Sequence, residues 1–338
     1  MSRLAVSIGC PCGVGPEVSL LGALAVPGTL LVGDVAVVKA AARVRGIAAT
    51  RVVRVLSPRF GDGDTVFVWQ PTETLAASDR VPGQPGRTAG AAQLAWIDAA
   101  MDLVRDGRAD ALVTGPVSKD AIARSGARGA KKFRGHTEHL AQRLGAPEVT
   151  MAFWTPRLTT SLVTTHLALR DVPDAITKVE VARATYWTAR FVRQLGASGP
   201  IAVAALNPHA GEDGLLGDEE IRALGPALPL ARKRLAKEGI DVTITGPVPA
   251  ETAFRLAASG HFAAVVAMYH DQATIPMKLL GFGEAVNVSL GLPIIRTSVD
   301  HGTAYDRAGK GTADARGMIE ALGLAVRLGV RLGVSGAS

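Results

Sequence analysis

Three short strand-like runs in this chain each end on a histidine, and that repetition constrains the fold more than any other feature. Phe262-Ala-Ala-Val-Val-Ala-Met268 leads through Tyr269 into His270 and Asp271, and Ser161-Leu-Val-Thr-Thr165 leads into His166. Ile201-Ala-Val-Ala-Ala-Leu206 leads through Asn207 and Pro208 into His209. The all-apolar, β-branched run Phe262–Met268 fits a fully buried strand of a parallel sheet, and the other two have the same shape. The histidines then stand at the C-terminal ends of strands, the edge at which open α/β sheets bind ligands.

Further strand-like runs lie at Leu4–Ile8, Thr29–Val32, Val66–Trp69, Ala111–Val113 and Val242–Thr245, and helical patterns at Thr88–Asp106, Lys178–Leu195 and Asp218–Glu238 alternate with them. Such alternation specifies an α/β protein with a mainly parallel sheet. A chain of 338 residues suggests two domains. The Gly- and Arg-rich stretch over 125–135 and the turn Leu290-Gly-Leu-Pro293 mark the boundaries: residues 1–125 with 296–338 form a first α/β domain, and 126–295 a second. The tail from Thr312 to Gly333 reads as a helix with one apolar face, suited to packing on the first domain or to a subunit contact.

Hydrophobic residues at 48% indicate a packed globular protein. The net charge of +7 is spread along helices without a basic block, and aromatics are only 4%, which leaves no base-stacking platform and argues against nucleic acid. The charge favours anionic small molecules instead. No segment approaches a membrane span, and the apolar N-terminal run is too short for a signal peptide. The two cysteines, Cys10 and Cys12, flank Pro11 and form no disulfide framework, as expected of thiols in a reducing cytoplasm.

Three imidazoles at one sheet edge suit a divalent metal with open positions for substrate, although a strand-end histidine also commonly bonds to backbone. Gly135-His136-Thr137-Glu138 opens a helical pattern. It places His136 and Thr137 where backbone N–H groups favour an anion; the alternative is an ordinary cap on Thr137. Lys278, Asn287 and Arg296 follow in one segment and offer charge-assisted bonds to phosphate or carboxylate. Gly13-Val-Gly15-Pro-Glu17 has Val18 at the third glycine place of a dinucleotide fingerprint, so it reads as a tight turn.

Together the runs at 13–17 (GVGPE), 113–119 (VTGPVSK), 135–138 (GHTE), 206–214 (LNPHAGEDG), 269–272 (YHDQ) and 281–311 (GFGEAVNVSLGLPIIRTSVDHGTAYDRAGKG) resemble the 4-hydroxythreonine-4-phosphate dehydrogenase family over nearly the whole chain. The resemblance implies an isocitrate/isopropylmalate dehydrogenase-like fold with the active site in a cleft between two α/β domains. It also implies a cytoplasmic homodimer whose site the partner subunit completes.

The same resemblance implies His166, His209 and His270 as ligands of one divalent ion (Zn, Mg, Mn or Co) and His136, Thr137, Lys278, Asn287 and Arg296 as substrate-binding residues. Asp300, His301, Gly302, Thr303 and Ala304 are implied as the loop that receives the adenosine of NAD, with NADP as the alternative. The implied reaction oxidises 4-phosphohydroxy-L-threonine to a β-keto acid, which decarboxylates to 3-amino-2-oxopropyl phosphate in pyridoxal 5'-phosphate synthesis. Lys119 and Asp271 are the candidates for the catalytic base, Asp271 equally for a role behind a metal ligand. Relatives that oxidise D-threonate or D-erythronate 4-phosphate, or a cis-dihydrodiol dicarboxylate, mark the alternatives, and an inactive anion-binding homologue is the alternative of another class. One departure stands out: Gly9-Cys10-Pro11 replaces the family's usual Gly-Asp-Pro.

Overall fold

The structure, a computed structural model, describes residues 1–331. The chain divides into two units, Met1–Ala146 together with the chain from Leu292 onward, and Pro147–Gly291. Residues 126–146 and 292–295, assigned by sequence to the second domain, lie in the first unit.

The first unit contains strands β1 (Leu4–Ser7), β2 (Thr29–Val32), β3 (Val52–Val55), β4 (Val66–Trp69) and β5 (Ala111–Thr114). The second contains β6 (Thr150–Trp154), β7 (Thr159–Leu162), β8 (Ile201–Ala204), β9 (Ile244–Val248), β10 (Ala264–Ala267) and β11 (Val286–Leu290), and the chain returns to the first with β12 (Ile295–Val299). In the first unit the order is β3-β4-β2-β1-β5-β12, all parallel. In the second it is β11-β6-β7-β10-β8-β9, where β6 runs antiparallel to both neighbours and the remaining pairs are parallel.

The second unit shows why strands β8 and β10 contain no polar residue. Successive side chains of a strand face opposite ways. Ile201, Val203, Ala264 and Val266 enter one core with Val181, Ala184 and Val192 of helix Lys178–Leu195. Ala202, Ala204, Val265 and Ala267 enter another with Phe153, Leu162, Phe254 and Met277. With both faces covered, burial of each valine contributes about 1.5–3 kcal/mol.

Helix Lys178–Leu195 has the span read from sequence; the Thr177 hydroxyl accepts from the Glu180 N–H at its start, and left-handed Gly196 ends it. The helix read over Asp218–Glu238 is continuous over 219–236, with a π-helical turn at Glu220–Leu224 leading into helix Gly225–Ala236, which contains Pro229. The tail forms helix Arg316–Arg331, whose Met318 and Leu322 pack over Gly22 of helix Gly15–Ala25. A side chain at Gly22 would come within 2.7 Å of Leu322, so glycine permits this approach. Leu332 and Gly333 of the expected tail helix, and the rest of the chain to Ser338, lie outside the described residues. No helix among the described residues is long and apolar enough to cross a membrane.

Candidate active site

Strands β7, β10 and β8 are parallel neighbours, so the segments that leave their C-terminal ends emerge along one edge of the second unit. His166 follows β7, His270 opens helix His270–Gly281 after β10, and His209 follows β8. The rings of His166 and His270 lie 5.6 Å apart, centroid to centroid. Nδ1 of His270 is 2.7 Å from a carboxylate oxygen of Asp271. Such a bond fixes a ring's orientation and leaves its Nε2 to face a ligand. Gln272 secures the same edge: its amide donates to the Ala205 carbonyl at 2.8 Å, and its carbonyl accepts from the Met268 N–H at 2.7 Å.

His209 begins a run with left-handed backbone through Asp213, with φ values of 53, 57, 80, 45 and 54°. Four of these five residues are not glycine, and each such conformation costs roughly 1–2 kcal/mol. Strain of this kind persists only where the surroundings over-determine it, and it concentrates at functional sites. Among the described residues, no three His, Cys, Asp or Glu side chains gather closely enough to hold a metal ion. The pair His166–His270, with Asp271 behind it, nevertheless has the donor chemistry of a divalent metal site.

In the first unit, helix His136–Leu144 starts after Gly135 without any side-chain cap, so the alternative of Thr137 as its capping residue is not realised. Thr137 is buried and His136 half-buried, with the Nε2 atom of His136 fully covered and lacking a hydrogen-bond partner. Burial, reinforced by the positive charge of Arg296 and then by His139 and Lys119, pushes His136 well below its ordinary value. The ring is therefore neutral at physiological pH, and one tautomer offers an Nε2–H donor.

Arg296 lies on β12, is only 3% exposed and donates to the Thr114 hydroxyl at 2.7 Å. Burial pulls it down to about 10, with Glu138 acting the other way, so it stays cationic at neutral pH. Lys119 is the first residue of helix Lys119–Arg124. Ser118 caps that helix and donates its backbone N–H to Gln93 at 2.8 Å. A side chain at Gly135 would lie 2.8 Å from the Glu138 carboxylate and 3.7 Å from the Lys119 amine. Glycine keeps this entry open. The structure thus brings together His136, Arg296 and Lys119 from three separate stretches of sequence.

Lys278 is exposed, two turns along the helix that His270 opens, and half-buried Asn287 stands on β11 opposite Phe153 of β6. The loop Asp300–Ala304 is tied to the first glycine turn, because the Val14 N–H donates to the Thr303 carbonyl at 2.9 Å. A side chain at Gly13 would lie 2.7 Å from that same carbonyl. Ala304 is left-handed, with φ of 43°. Cys10 and Cys12 are buried free thiols, with the Cys10 sulfur 3.6 Å from the Tyr305 hydroxyl. The neighbouring Cys12 thiol, opposed by burial and helped by Tyr305, lowers Cys10 to about 7. Cys12, whose thiol donates to the Asp79 carbonyl at 3.4 Å, is raised.

Sequence reading missed Gln272, Thr114 and Gln93, which hold the candidate residues in place. Gln272, inside the YHDQ run, and Thr114, inside the VTGPVSK run, stand in segments singled out from the sequence, whereas Gln93 does not.

The chain is 42% identical to a 4-hydroxythreonine-4-phosphate dehydrogenase of Desulfosudis oleivorans, over 98% of this chain and 97% of that protein. It is 39% identical to a protein of Bradyrhizobium diazoefficiens provisionally named D-threonate 4-phosphate dehydrogenase, over 96% of each. The crystal structure of a 4-hydroxythreonine-4-phosphate dehydrogenase from Klebsiella pneumoniae superposes with a TM-score of 0.81 at 34% identity, covering 97% of this chain and 100% of that one. The family profile described as pyridoxal phosphate biosynthetic protein PdxA matches residues 26–325, and the chain therefore belongs to that family.

Proposed function

We propose that the protein oxidises 4-phosphohydroxy-L-threonine with NAD and a divalent metal, giving a β-keto acid that decarboxylates to 3-amino-2-oxopropyl phosphate. The observation that carries this reading is the covered, unpartnered Nε2 of His136 beside the buried charge of Arg296. That combination is built to receive an anion: a neutral donor and a fixed cation meet where water is largely excluded.

In this reading His136, Thr137 and Arg296, with Lys278 and Asn287, hold the phosphate and carboxylate of the substrate. Lys119, beside the Gly135 entry, takes the proton from the hydroxyl being oxidised. Asp271 steadies the His270 ring rather than acting as the base, since its carboxylate is engaged with Nδ1. His166, His209 and His270 are the proposed metal ligands, and a divalent ion held there would supply Lewis-acid polarisation of the hydroxyl and stabilisation of developing negative charge. Asp300–Ala304 would hold NAD, which would supply the hydride acceptor.

The reading includes a homodimer with shared sites, in keeping with the want of a three-ligand group among the described residues of one chain. Exposed Ile275, Leu279 and Phe282, at helical spacing along and just beyond the helix of His270, support a covering partner. The free thiols support a reducing compartment, the cytoplasm. Oxidation of D-threonate 4-phosphate is the second reading, favoured by one observation: a buried thiol, packed on Tyr305, stands where the family's usual carboxylate is expected.

Steady-state NADH formation by the wild type, Lys119→Ala and Arg296→Ala tests the assignment. Lys119→Ala is expected to lower kcat by at least about 100-fold, and Arg296→Ala to raise KM. Normal turnover by Lys119→Ala excludes it as the base.

A further inference from the structure

Leu206 and Asn207 carry the chain from β8 into the His209 segment, and both donate their backbone N–H groups to one oxygen, Oε1 of Glu220, at 2.8 Å each. The other oxygen accepts from the Asn207 side-chain amide at 2.9 Å. Glu220 is only 5% exposed, so these bonds occupy a carboxylate taken out of water. Leaving such donors unpaired is costly, which makes the arrangement a constraint on the strand end.

The fit around the clamp is close on every side. A side chain at Gly211, in the middle of the left-handed run, would lie 2.8 Å from Glu220 Oε2, and one at Gly217 would lie 2.5 Å from the Asn207 amide nitrogen. Asn207 also donates to Glu219 at 2.7 Å. Glu220 itself opens the π-helical turn Glu220–Leu224, a widened geometry that recurs at functional sites. The strained run His209–Asp213 thus begins two residues after the clamped backbone and folds back over the clamping carboxylate.

We propose that Glu220 is the positioning residue of His209: its carboxylate fixes the exit of β8 and thereby the left-handed turn that presents the imidazole. The inference rests on the reading of His209 as a metal ligand. Groups standing behind a metal ligand typically govern affinity by about 10- to 100-fold.

The test is Co²⁺ binding to the purified full-length protein, followed by titration and by the visible absorption of the bound ion, together with hydrogen exchange of residues 206–217. Glu220→Ala is expected to weaken Co²⁺ binding by about 10-fold or more and to accelerate exchange in that segment. Glu220→Gln keeps an acceptor for the two backbone donors but opposes the Asn207 amide with a second donor, so it is expected to restore most of the affinity. If Glu220→Ala does not fold, Glu220→Gln carries the test, with a weakening of Co²⁺ binding relative to the wild type expected.

His209→Ala separates the two ideas. If it loses Co²⁺ while both Glu220 variants bind as the wild type does, the positioning role is overturned and the metal reading stands. If His209→Ala binds Co²⁺ like the wild type, the metal reading of His209 falls, and the role of Glu220 with it.

Discussion

Arg296 concentrates the conflict between stability and function in one residue. A guanidinium only 3% exposed, bonded to the Thr114 hydroxyl and opposed by burial, costs the fold desolvation that a methionine would not. Arg296→Met is expected to leave Tm unchanged or raise it while raising the KM for the phosphorylated substrate by about 10- to 100-fold. A fall in Tm with KM unchanged would assign Arg296 to the fold instead. Cys10 gives a pH prediction. Its acidity is raised in the folded state, to about 7, so stability grows from pH 7 towards pH 9 and is lost as pH falls through 7. A tenfold gain in acidity on folding corresponds to about 1.4 kcal/mol. Cys12, shifted upward, works against the fold above pH 9. Chemical denaturation across this range is expected to show the rise in the wild type and a flatter profile in Cys10→Ser.

Among the elements, the glycine turn before helix Gly15–Ala25 is the joint that holds the proposed cofactor loop. Gly13→Ala places a methyl group 2.7 Å from the Thr303 carbonyl, against backbone that has no room to yield. The variant is expected to lose about 1–3 kcal/mol of stability and to raise the KM for NAD more than that for substrate. Equal effects on both would detach the loop from cofactor binding.

How much of these elements was legible in the sequence follows from their burial pattern. Eight of the twelve strands are legible in the sequence; β3, β6, β11 and β12 are not, because Arg54 interrupts β3 and Thr150, Asn287, Ser289, Arg296, Thr297 and Ser298 break the other three. Those polar groups are tolerated because tertiary partners meet them, as Thr297 donates to the Ala321 carbonyl and Arg296 to Thr114. The histidines are legible because they stand just past strand-like runs. Glu220 is not: eleven residues beyond His209 on a charged stretch, it looks like a solvated helix residue until the turn brings it beneath the strand end.

At the scale of the whole molecule, the proposed shared site makes activity a property of the assembly. A chain of 35.0 kDa is expected to sediment at about 70 kDa, twice the chain mass, and specific activity is expected to fall on dilution in step with the loss of that species. A fully active 35.0 kDa species would contradict a site completed by the partner. The most direct test of the proposed function is NADH formation by the purified protein with 4-phosphohydroxy-L-threonine and, separately, with D-threonate 4-phosphate, each with and without a chelator. Chelator-sensitive turnover of the amino acid is the expected result. Turnover of the sugar acid alone, or oxidation that persists after the metal is stripped, would contradict it.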